Sequence, residues 1–181
     1  MGRSYDEITE GVANWIGKQR MFFVATAPAD GGHINVSPKG LDTLRISGPN
    51  SVEYLDLTGS GAETIAHLRE NGRVTMMFCA FEGPPRIVRL YGKGSYVAAT
   101  DDEFAAAAAP FGDRHGARSV IRIEVDRVAD SCGYAVPRYE YVEQRSKLVE
   151  WADNRDDDEL LEYWAEKNAK SIDGLPALDP T

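Results

Sequence analysis

Apolar positions mark out the elements of this chain before any motif does. Ile8, Val12, Trp15 and Ile16 fall on one helical face within YDEITEGVANWIGKQR. Ser4 with Glu7 has capping-box spacing, so the pattern predicts an amphipathic first helix ending near Arg20. MFFVATA is rich in strand formers, PADGGH is a turn, and INVSP pairs back as a hairpin. LDTLRISG and VEYLDLT read as two strands about a PNS turn. GSG breaks the pattern, and AETIAHLREN forms a short helix stopped by Gly72. RVTMMFCAF is nearly all apolar and is expected to be a central strand.

The second half continues in hairpins. EGPP turns into RIVRLYGKGSYVA, a long strand whose two glycines imply a bulge or a close approach. Thr100 and Glu103 are expected to cap the alanine-rich helix DDEFAAAAAPFG. In SVIRIEVDRVAD, Val120, Ile123, Val125 and Val128 mark a half-buried strand. A polar, helical tail follows, in which DDDELLEYWAEKNAK carries acids in its first turn and lysines in its last. About six or seven strands in hairpins with short inserted helices predict a mainly β fold. The expected architecture is an antiparallel barrel in one domain, 1–181, with a C-terminal helical extension from about 138.

Composition narrows the function. The chain has 181 residues, 43% hydrophobic and 27% charged, which is globular composition. A net charge of −9 argues against a protein that coats nucleic acid, which needs a basic face. No apolar run approaches the roughly 20 residues of a membrane span, and the N-terminus lacks the apolar core of a secretory signal. Cys79 and Cys132 are too few for a disulfide framework, so a cytoplasmic protein is expected. Cys79 reads as a small buried hydrophobe and Cys132 as an inert thiol. His33, His67 and His115 lack metal-ligand spacing, so no metal is expected.

The strongest local signal is YLDLTGSGAETIAHL, where a strand ends at Thr58 and a helix begins after small residues. Free amides at such a helix start attract phosphate. Gly59, Gly61 and Thr64 imitate a dinucleotide fingerprint with its third glycine replaced, and Glu82 lies near the place of a ribose-binding acid. The hairpins on both sides exclude that fold. NVSPKG adds Ser37 and Lys39, LTGSG adds Thr58 and Ser60, and PPRIVRLYG places Arg86 and Arg89 on an apolar strand. An arginine in that setting calls for an anionic partner.

In this order, NVSPKG, VEYLDLTGSGAETIAHLRENGRVTMMF and RIVRLYGKG resemble the pyridoxamine 5'-phosphate oxidase-related flavoproteins, the FMN-binding split-barrel family, from about Arg20 to Val128. SCGYAVP and KNAKSIDGLP resemble marks of a less characterised subgroup. The resemblance implies a split β-barrel homodimer with FMN at the subunit interface. It implies that Ser37, Pro38, Lys39 and Gly40 line the flavin, and that Asp56, Leu57, Thr58, Gly59 and Ser60 run beneath its ring and ribityl chain. Gly61, Glu63 and Thr64 would face the phosphate, and Arg86 would lie near the flavin on the adjoining strand. Lys39 would be a cation aimed at the flavin, with Pro38 stiffening the strand exit and Gly40 permitting the bend.

Two departures bear on the substrate. Family oxidases of vitamin B6 start this helix with an arginine–lysine pair, where this chain has Ala62, Glu63 and Thr64. Their later basic cluster is replaced by EFAAAAAPFG. The expectation is therefore an FMN-dependent oxidoreductase acting on a small organic substrate other than vitamin B6. The alternatives are a relative holding deazaflavin F420 or haem, and a non-enzymatic flavin-binding module. No catalytic residue is assigned; Cys132 and Tyr134 become candidates only if SCGYAVP folds over the ring.

Overall fold

The computed structural model describes residues 2–179. In chain order the elements are β1 (Arg3–Tyr5), α1 (Glu10–Ile16), β2 (Phe22–Thr26), β3 (Asn35–Lys39), β4 (Leu44–Gly48), β5 (Ser51–Leu57) and α2 (Glu63–Glu70). They continue with β6 (Arg73–Cys79), β7 (Ile87–Ala98), α3 (Phe104–Ala108), a 3₁₀ turn at Ala109–Phe111, β8 (Ala117–Ser131), α4 (Lys147–Asp153) and α5 (Asp157–Lys167). The eight strands form one antiparallel sheet in the order β3-β2-β6-β7-β8-β5-β4, with β1 added to β8. The end strands β3 and β4 do not pair, so this is an open, split barrel rather than a closed one.

Alternation decides which side chains fill it. Val24, Met76, Phe78, Leu90, Tyr54, Ile121 and Ile123 are buried in the main core, where α1 adds Val12 and Ile16. Each fully buried side chain of this size contributes roughly 1.5–3 kcal/mol. A smaller cluster forms where Ala107 of α3 and Phe111 pack against Leu55, Val97 and Val120. The glycine expected to mark a close approach is Gly92: a Cβ there would lie 2.0 Å from the Glu124 carbonyl oxygen, beside the register shift between Tyr91 and Gly92.

Two expected caps are corrected. Ser4 caps no helix. It lies in β1 opposite Ala129, because β8 is long enough to offer an edge to three more residues, and its hydroxyl accepts from Arg127 at 3.0 Å. The first helix starts five residues later, with Thr9 as its cap. Thr100 and Glu103 likewise form no capping box. Glu103 occupies the cap position of α3 without a side-chain bond, and Asp101 accepts from the Ala98 amide at 2.7 Å instead. As expected, α5 carries acids in its first turn (Asp157, Asp158 and Glu159) and a lysine, Lys167, in its last; Asp156 and Glu159 add a reciprocal capping box at its start.

Candidate functional site

β3, the turn after it, the end of β5 and the start of α2 surround a cavity of about 540 Å³. β3 leaves Val36 and Pro38 exposed and half-buries Asn35, Ser37 and Lys39. Ser37, Pro38, Lys39 and Gly40 line the cavity on this side. Leu57, Thr58, Gly59, Ser60 and Gly61 line it from the loop after β5, followed by Glu63 and Thr64 of α2. The turn at its mouth is strained in an unexpected place. Leu41 and Asp42 take left-handed φ values of 61° and 55°, a conformation that costs a non-glycine residue roughly 1 kcal/mol. The bend therefore falls on these two residues and not on Gly40. A Cβ on Gly40 would instead lie 3.0 Å from Gln144 Oε1.

Beneath the lining sits Asp56, 1% exposed. Lys39 Nζ donates to its Oδ1 at 2.6 Å and Arg118 Nε to its Oδ2 at 2.8 Å. Burial pushes the Asp56 carboxyl up, but Arg118 and Lys39 together outweigh it and hold it at about 2. With two cations and one anion, the cluster carries a formal charge of +1. Lys39 does not stand alone at the cavity, because Asp56 offsets its charge.

Arg118 is the residue that sequence reasoning missed. It is 4% exposed and lines the cavity. Its Nη1 donates to Asn168 Oδ1 at 2.8 Å and to the Gly59 carbonyl at 3.4 Å, while Nη2 has no hydrogen bond to the described residues. The signal available was the arginine in GARSVIR, at the start of β8. Its partner Asp56 is 62 residues away, however, and only the pairing of β5 with β8 brings them together.

Several of the side chains expected to bind the flavin are otherwise engaged. The Thr58 hydroxyl donates to the Gly116 carbonyl at 2.7 Å and accepts from Trp164 Nε1 at 2.8 Å. The Thr64 hydroxyl accepts from Asn35 at 3.1 Å. Glu63 accepts the Ile172 amide at 3.1 Å. Ser60 and the first-turn amides of α2 remain at the cavity, since Ala62 in the cap position offers no side-chain bond.

Arg86 is not brought to this cavity. Its Nη2 lies 2.6 Å from Asp130 Oδ2 and its guanidinium 4.9 Å from the centre of the Trp15 ring. The anionic partner an arginine there requires is therefore internal. Arg89 reaches Ser131 Oγ at 3.4 Å. Cys132 and Tyr134 are exposed and do not line the cavity. Among the described residues, no group of three or more His, Cys, Asp or Glu could hold a metal ion, and no helix is long and apolar enough to cross a membrane.

The sequence pattern of the family described as pyridoxamine 5'-phosphate oxidase matches residues 8–132. The chain belongs to the pyridoxamine 5'-phosphate oxidase family. It is 40% identical, over 96% of its length and 77% of the relative's, to the pyridoxamine 5'-phosphate oxidase family protein ustO of Aspergillus flavus. Its fold resembles HupZ of Group A Streptococcus, with a TM-score of 0.54 and 24% identity over 67% of this chain and 91% of that one. A Lactobacillus delbrueckii structure provisionally described as a pyridoxamine 5'-phosphate oxidase gives a TM-score of 0.54 at 20% identity, over 68% of this chain and 94% of its own. The family match stops at residue 132, yet Leu148 and Ile172 beyond it help to wall the cavity.

Proposed function

We propose that this family member is an oxidoreductase that holds FMN in the cavity and acts on a small organic molecule, working as a homodimer. The observation that carries the reading is the Lys39–Asp56–Arg118 cluster, with one guanidinium nitrogen left for a ligand oxygen beneath a cavity of about 540 Å³. A flavin is rich in oxygen acceptors, and small residues such as Gly59, Ser60 and Gly61 leave the backbone accessible to it. A flavin held here would supply hydride-transfer chemistry. Lys39 and Arg118 would orient it, Ser60 and the α2 amides would take its phosphate, and Leu57 would shield it from water. Haem fits less well, because no His, Cys, Met or Tyr is among the described residues lining the cavity to serve as its axial ligand. Ala62, Glu63 and Thr64 at the α2 start also speak against vitamin B6 as substrate.

The dimer reading draws on the outer face of the same sheet. Ile34 and Val36 are exposed beside and on the edge strand β3, and Phe23 and Met77 are half-buried opposite each other on β2 and β6. A second copy covering this face would bury an apolar patch that a monomer leaves in water.

The test is a fluorescence titration of purified apoprotein with FMN, riboflavin and deazaflavin F420, with light scattering on the same sample. FMN is expected to bind to a dimer and more tightly than riboflavin. No binding of any of the three would overturn the reading, and equal binding of FMN and riboflavin would remove the phosphate from α2. Turnover with reduced nicotinamide then separates an enzyme from a flavin-binding module.

A second outcome concerns the charge of the cluster. Lys39→Ala leaves a neutral Asp56–Arg118 pair, so the cluster loses its positive surplus. A positive group beside a flavin favours the anionic reduced form, so the midpoint potential is expected to fall. An unchanged potential together with an unchanged affinity would place Lys39 away from the ligand.

A further inference from the structure

The stretch KNAKSIDGLP lies beyond the region matched by the family, yet it reaches under the cavity floor. Asn168 follows α5 and is 0% exposed. Its Oδ1 accepts from Arg118 Nη1 at 2.8 Å, and its Nδ2 donates to the Gly59 carbonyl at 3.0 Å. Its backbone is equally committed: the amide donates to Trp164 at 2.8 Å and the carbonyl accepts from Leu178 at 3.0 Å. Asn168 does not itself line the cavity.

A guanidinium is planar and its donors sit in a fixed fork. Asp56 holds Arg118 at Nε, and Asn168 holds it at Nη1. Once both are pinned, the direction of Nη2 is set. Nη2 is not sealed in the interior but open to the cavity that Arg118 lines, where a ligand oxygen can accept from it in place of water. Asn168 also ties Arg118 to the loop carrying Gly59, so one amide coordinates the cation and the backbone beside it.

Resting on the flavin reading above, the geometry points to Asn168 as a positioning residue for ligand recognition: it aims Arg118 Nη2 at an oxygen acceptor of the bound flavin. That acceptor is either a phosphate oxygen or an oxygen of the ring and ribityl chain. The segment's other attachments serve a different purpose. Arg69 donates to the Ala177 carbonyl, and Asp173 holds His33 at 2.7 Å. Both staple the same stretch without touching Arg118, which allows positioning to be told apart from mere attachment.

The experiment uses the full chain. FMN and riboflavin are titrated into wild type, Asn168→Ala, Arg118→Ala, the double variant and Arg69→Ala. The Arg118 Nε–H signal is followed by ¹⁵N NMR in the ligand-free proteins. Asn168→Ala is expected to weaken FMN binding about ten-fold, and to cause no further loss when Arg118 is already alanine. Arg69→Ala is expected to stay within about two-fold of wild type. If riboflavin binding weakens equally, the acceptor is on the ring or ribityl chain; if only FMN binding weakens, it is the phosphate. FMN affinity unchanged in Asn168→Ala, or additive losses in the double variant, would overturn the proposal. Where the alanine variant does not fold, Asn168→Asp carries the test. It keeps an acceptor for Nη1, so the Arg118 signal should persist, and loss of that signal would overturn the proposal. If wild type binds no flavin, the functional reading falls. Positioning then stands or falls on whether the Arg118 signal is lost in Asn168→Ala.

Discussion

Asp56→Ala is expected to destabilise the fold by about 3–5 kcal/mol, because it leaves two cations facing each other without their shared counter-ion. Lys39 and Arg118 approach the carboxylate at 2.6 and 2.8 Å, and the carboxylate is sealed from solvent. Screening by water is therefore weak on the Asp56 side, unlike in a surface pair. Asp56→Asn should recover little of the loss, since an amide offers one acceptor where two are needed and presents hydrogens to a cation. Urea unfolding at neutral pH measures the effect, and a loss under about 1 kcal/mol would show that the cations relax into water. The same carboxyl sets an acid limit. Its folded-state pKa, about 2, lies below the ordinary 3.8. The unfolded chain therefore takes up the proton first as pH falls. The cluster's contribution is fully present above the ordinary value and is lost as pH drops through about 2. That contribution is worth about 2 kcal/mol, and stability curves of wild type and Asp56→Asn should converge toward the acid end by that amount.

The strands were legible because alternation and turns are local signals. Phe22–Thr26, Arg73–Cys79 and Ile87–Ala98 fall within runs whose apolar spacing or turn residues announce them. β1 was not legible, since Arg3–Tyr5 has no pattern of its own and becomes a strand only through the free edge of β8. The same divide runs through the candidate site. NVSPKG and LTGSG line one cavity, with Asp56 just beneath its lining. Arg118 and Asn168 act through partners 62 and 109 residues away, so no local pattern could pair them. Arg86 shows the converse. Its local setting correctly demanded an anion, but the register of β7 on β8 supplies Asp130 from within the sheet. Glu63 was expected to face the phosphate, and a backbone amide of the C-terminal stretch donates to its carboxylate.

Thr58→Val tests whether that stretch is anchored through the cavity wall. The substitution keeps the shape and removes the hydroxyl. Thr58 is 2% exposed, and its hydroxyl is the hydrogen-bond partner of Trp164 Nε1. The Gly116 carbonyl keeps the Thr58 amide as a donor at 2.9 Å, so the main casualty is the indole N–H. A buried donor left unpaired costs about 1–3 kcal/mol, and with the lost hydroxyl bond the expected destabilisation is about 3 kcal/mol. Thr58→Ser restores the hydroxyl and should remain within about 1 kcal/mol of wild type. Trp164 lies on α5, directly before the turn that carries Asn168, so its loosening frees the hold on Arg118. Flavin affinity is then expected to fall in the valine variant with the same balance between FMN and riboflavin as in Asn168→Ala. A loss confined to FMN in Thr58→Val but shared with riboflavin in Asn168→Ala would mean that the hydroxyl leaves its protein partners to bind phosphate, and would make Thr58 a direct ligand rather than an anchor for α5.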